Sequence, residues 1–171
     1  MTVIESPPVA PPPSTDTMNY DRALEKLRAE QNLPLGLAAG AGAAAAGAAA
    51  WAIVTDVTGY QIGWMAVGIG FLVGWSMRSL GKGVDRSFGL AGAALSLAGC
   101  VAGNLLAVCG MAATQEQIPL TAILSQLTPG LAMNLLSATF SPMDLIFYGI
   151  AVYEGYQFSM RPVTPQDLAR A

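Results

Sequence analysis

The chain has 171 residues, 53% hydrophobic and 11% charged, with a net charge of −3 and no histidine. A water-facing domain carries about 25% charged residues, so the composition excludes an ordinary soluble globule. Eight scattered basic residues also argue against a nucleic-acid-binding surface.

The lack of histidine removes the commonest general base and the commonest metal ligand together, and no metal or cofactor site is readable. A mean hydropathy of +0.49 and 19 glycines point instead to a multi-span membrane protein with closely packed helices. The expected fold is all-α and polytopic: four transmembrane helices with short interfacial helices.

Residues 1–17 hold Pro7, Pro8, Pro11, Pro12 and Pro13 with little to bury, and read as a disordered tail. No apolar core of a signal peptide lies near the start. Residues 18–32 read as a charged cytoplasmic juxtamembrane helix. Asn19 is its expected N-cap, and Tyr20, Leu24, Leu27 and Gln31 form one narrow stripe. Pro34 breaks it, because the residue before proline avoids helical angles.

The four-span region covers 33–160. The first span, 35–55, is almost all Ala and Gly over 36–50. It has too little bulk to face lipid well and belongs in the interior or at an oligomer seam. Gly36 with Gly40 supplies small-residue spacing, and Trp51 stands where aromatic rings favour the interface. Asp56 to Gly59 make a tight turn, so the second span, 60–77, runs antiparallel to the first. Gly70 and Gly74 mark a packing face there, with Trp64 and Trp75 toward the two ends.

The third span, 88–113, carries Gly99 and Gly103 on its packing face, and Asn104 is its one strongly polar residue. Either Asn104 bonds to a neighbouring helix or it contacts a substrate. Cys100 and Cys109 are nine residues apart, on opposite faces and about 13 Å apart along the axis, so they read as small packing residues. Residues 114–141 contain two short apolar helices, 120–127 and 131–140, lying at the periplasmic interface. Ser141-Pro142-Met143-Asp144 is a helix start with a capping-box pattern, and it opens the fourth span, 142–160.

Glu154 is the acidic side chain well inside a predicted span, where ionisable groups are costly and face a partner or a pathway. One reading gives it a proton or cation site beside Tyr153, Tyr156 and Tyr148. The other gives it an interhelical bond or a salt bridge to an arginine such as Arg78. Gly81-Lys82-Gly83 lacks the phosphate-loop pattern and reads as a flexible turn for anionic headgroups.

With four spans, Arg22, Lys26, Arg28, Arg78, Lys82, Arg86, Arg161 and Arg170 all fall on one side. The positive-inside rule then puts both termini, including the 161–171 tail, in the cytoplasm.

The strings YQIGWMAVGIGFLVG at 60–74, RSLGKG at 78–83 and DLIFYGIAVYEGY at 144–156 resemble those of small uncharacterised four-helix proteins of the bacterial inner membrane. The likeness covers 51–160 and rests on glycine and aromatic patterns. It implies that membrane, and it carries over no activity and no site.

No Ser/Lys pair, CxxC or carboxylate cluster stands out, so an enzyme is not expected. The expected role is a structural or accessory subunit of a membrane complex, assembling with itself or with other membrane subunits through Gly/Ala-rich faces. The competing role is a small transporter or channel with Glu154 and Asn104 along a path. Leucine at Gly40, Gly70 or Gly99 would disperse a complex under the first, and Glu154→Gln would abolish flux under the second.

Overall fold

A computed structural model describes residues 15–169, with the side chains of residues 17–169. The prolines of the N-terminal tail and Arg170 lie outside the described residues. Within them the chain is helical, with no strand: α1 (Thr15–Glu30), α2 (Leu33–Thr58), α3 (Trp64–Gly81), α4 (Arg86–Glu116), α5 (Leu120–Ser125), α6 (Pro129–Thr139), α7 (Pro142–Phe158) and α8 (Pro165–Ala169).

The helices α2, α3, α4 and α7 form a bundle. α2 packs on α3 and α4, both of these pack on α7, and α3 touches α4 across the middle. Two helices, α2 and α4, are each long and apolar enough to cross a membrane. α6 and α7 together count as a third if that pair, bent by 109°, is one span. These helices suggest a membrane protein.

Local chemistry sets the boundaries. The Asn32 side chain accepts from Leu35 N at 2.9 Å, and Pro34 sits inside the first turn of α2. The expected break is present, since α1 ends at Glu30 and α2 begins at Leu33, and Pro34 also helps start α2, because its missing N–H falls where no intrahelical partner exists. The expected turn at Asp56 to Gly59 is instead the end of α2. Thr114 Oγ1 donates to Asp56 at 2.6 Å, holding that last turn beside α4, and Gly59 closes the helix with φ 71°, a conformation that favours glycine.

α3 accordingly begins at Trp64 rather than Tyr60. α1 begins at Thr15, so Asn19 lies inside the helix and is not its cap. Ser141 and Asp144 form a complete capping box at the start of α7.

Packing pairs one bulky side chain with several glycines. Ile69 of α3 fits against Gly47 and Gly99, where an added Cβ would lie 2.7 and 2.9 Å from it. Trp51 is 2% exposed and covers Gly103 of α4, so its ring is in the core and not at the interface. Phe88 lies over Gly36, Gly81 and Gly83.

Gly70 meets backbone: a Cβ there would come within 2.6 Å of Ala151 Cα on α7. Gly40 faces Met77 and Leu95, while Gly74 faces Phe158 and the Glu154 carbonyl. α5 and α6 rest on α4 and have no buried residue.

Candidate functional site

A chain of polar side chains links the segment before α3 to α4 and α7. Gln61 Nε2 donates to Asn104 Oδ1 at 3.0 Å, Asn104 Nδ2 to the Tyr148 hydroxyl at 3.1 Å, and that hydroxyl to the Cys100 carbonyl at 3.2 Å. One connected chain thus runs from the 59–63 link through α4 to α7. Asn104 is 3% exposed and Tyr148 7%, so each bond replaces water that an apolar interior does not supply.

Cys100 Sγ leans on the Ala66 carbonyl at 3.7 Å. Both cysteines are free and buried. The chain of amides and phenol positions helices. It holds no base beside a nucleophile, and among the described residues no group of three His, Cys, Asp or Glu could hold a metal.

Glu154 stands apart from this chain. It lies six residues beyond Tyr148 on α7, about 9 Å along the axis. Its Oε2 is buried with no hydrogen-bond partner among the described residues. The expected salt bridge to Arg78 is not formed among the described residues. The three tyrosines diverge: Tyr153 is 66% exposed, Tyr156 packs on Gly89 of α4, and Tyr148 is engaged with Asn104. The structure therefore does not bring Asn104 and Glu154 together, and no tyrosine closes a polar pocket around the carboxyl.

The third polar region is the bundle end where α1, the α3–α4 loop and the chain after α7 meet. Arg28 pairs with Asp85 at 2.9 Å and Lys82 with Glu30 at 3.7 Å. Gln31 Nε2 also donates to Asp85. Backbone bonds join Asn32 N to the Gly81 carbonyl at 2.8 Å and Arg161 N to the Gly83 carbonyl at 2.7 Å. Asp85 is held below the usual carboxylate range, first by the Gln31 hydrogen bond and then by Arg28. Arg78 and Arg161 line one groove here, and Lys26 lines another beside Arg161.

Residue types alone did not reveal Gln61 and Tyr148 as partners of Asn104. Gln61 stood within a run read as span, and Tyr148 is 44 positions from Asn104. The signal that could have found them is polarity: each is a hydrogen-bonding side chain in an otherwise apolar stretch. No protein-family model matches the chain, and no curated protein or solved structure matches it significantly.

Proposed function

We propose that this chain is a four-span protein of the bacterial inner membrane and serves as a structural or accessory subunit of a membrane complex. In this reading α2, α3, α4 and α7 each cross the bilayer and both termini are cytoplasmic. The gathering of basic side chains at one bundle end supports the orientation through the positive-inside rule. The 18 residues of α3 rise about 27 Å, close to the hydrocarbon thickness of about 30 Å.

The observation that carries the role is the outer face of α2. Ala38, Ala41, Gly42, Ala45, Ala46 and Ala49 are exposed, and a Cβ at Gly42 would meet nothing within 4 Å. Between helices in lipid there is no hydrophobic drive, so association rests on close van der Waals approach through small residues. This strip supplies that surface and little else, for it has no side chain able to cover its own backbone.

The glycines first expected to hold a complex together, Gly40, Gly70 and Gly99, face inward in this fold. The test therefore belongs on the outer strip. Gly42→Leu with Ala45→Leu is expected to reduce the mass of the particle extracted in mild detergent. Gly68→Leu, an open position on α3, serves as control and is expected to leave the mass unchanged. A wild-type particle already the mass of one chain removes the reading.

A second reading, a small transporter or channel, is favoured by one feature: the buried, unpartnered Oε2 of Glu154. It predicts a proton or cation flux in vesicles that Glu154→Gln abolishes.

A further inference from the structure

At the basic end, α1, the last turn of α3, the end of α7 and the segment after it enclose a groove of about 380 Å³. Its polar wall is Arg78, Gln157 and Arg161, and its apolar wall includes Leu24 and Phe158. Among the described residues no carboxylate lines it. The two cations differ. The Arg161 guanidinium is neutralised by Asp167 at 3.0 Å. Arg78 is exposed and has neither an ion pair nor a side-chain hydrogen bond among the described residues. The groove thus carries one uncompensated positive charge with five N–H donors in a planar fork, a shape that matches phosphate.

Below Arg78 the surface turns apolar at helical spacing. Trp75 and Phe71 precede it by three and seven residues on α3, which keeps all three on one face and sets Phe71 about 10 Å deeper. Trp75 is 56% and Phe71 49% exposed. Phe71 stacks edge-on with Phe158 of α7, ring centres 5.4 Å apart, so the apolar track continues into the groove wall. Charge, then an interfacial indole, then two phenyl rings is the order in which a phospholipid presents phosphate, glycerol region and acyl chain.

We propose that this groove is a binding site for one anionic phospholipid of the leaflet at the basic end, with Arg78 on its phosphate and an acyl chain along Trp75, Phe71 and Phe158. The proposal rests on the reading that this end lies at a membrane surface. Gln157 adds a side-chain amide to the headgroup position, and α1 forms its outer wall through Tyr20 and Leu24.

The experiment uses the full-length protein, first floated with vesicles to establish insertion and then studied by native mass spectrometry with phosphatidylglycerol and phosphatidylcholine. Wild-type protein is expected to retain phosphatidylglycerol in preference to phosphatidylcholine. Arg78→Gln is expected to weaken that retention about tenfold, the scale of a lost charge-assisted contact. Arg86→Gln, which removes the same charge at the same end but outside the groove lining, should change it less than about twofold.

Equal losses in the two variants would overturn the site and leave a diffuse surface attraction. Displacement of the lipid by millimolar inorganic phosphate would overturn it in favour of a soluble phosphate ligand. Failure to float with vesicles would remove the membrane reading itself, whereas flotation with retention unaffected by Arg78→Gln would remove the lipid site alone.

Discussion

Gly40 and Gly42 stand two residues apart in the same Ala/Gly helix, and they meet opposite environments. A Cβ on Gly40 would strike Met77 at 2.7 Å and Leu95 at 2.8 Å, while one on Gly42 would meet nothing within 4 Å. The inner face of α2 is therefore already used by this chain, and the outer face is not. Identical residue types serve as contact on one side and as open surface on the other, because a helix turns 100° per residue and only one face can meet the bundle. A Gly/Ala-rich run by itself marks close approach without saying whether the neighbour is in the same chain.

The largest test of the packed side is Gly70→Leu. Its obstacle is Ala151 backbone, which cannot rotate away, so the expected loss is about 3 kcal/mol or more, read as detergent-dependent unfolding or failure to accumulate. Gly68→Leu is expected to behave like the wild type, and a comparable loss there would break the distinction between faces. Asn104→Ala is expected to cost about 1–2 kcal/mol, since it leaves Gln61 and the buried Tyr148 hydroxyl short of a partner. Tyr148→Phe, which also deletes the bond to the Cys100 carbonyl, tests the same chain, and its cost should not add to that of Asn104→Ala.

Smaller effects sharpen the contrast. Gly40→Ala should destabilise by about 1–2 kcal/mol, because the buried Met77 side chain and Leu95 must both shift to admit the added Cβ. Gly42→Ala should instead stabilise by about 0.5–1 kcal/mol through helix propensity, and the two signs can be read from one pair of unfolding curves.

The smallest expected effect is at the aqueous end. Asp85 has a lowered pKa in the folded protein, so its contribution is present above the ordinary carboxylate value near 4 and is lost as pH falls through the lowered folded value. The protection of α1 amides, taken relative to their intrinsic exchange rates, should fall as the pH drops through the lowered Asp85 value, and Asp85→Asn should remove most of that fall.

Much of the helical layout was legible. The long apolar runs gave α2 and α4, and Ser141 with Asp144 announced the start of α7, because a cap is a contact between neighbours in sequence. Boundaries at α2 and α3 were less legible: Asp56 reads as a turn residue, yet its bond to Thr114 on another helix keeps α2 intact to Thr58. Trp51 reads as an interfacial ring, and only Gly103 opposite it makes room for it in the core. Glu154 was visible as an anomaly in an apolar run, while the absence of a partner for its Oε2 depends on how α3 and α7 meet.

What the sequence by itself determined is the membrane-like class, the helical content, the capping box at Ser141 and the clustering of basic residues between apolar runs. These follow from composition and from interactions within a few residues. The tertiary structure alone decided which glycines are buried, that Asn104 joins Gln61 and Tyr148 instead of Glu154, and that Arg78 is left unpaired in a groove among the described residues. Each of those depends on atoms brought together from helices tens of residues apart, where rotation of one helix by a single position exchanges its inner and outer faces.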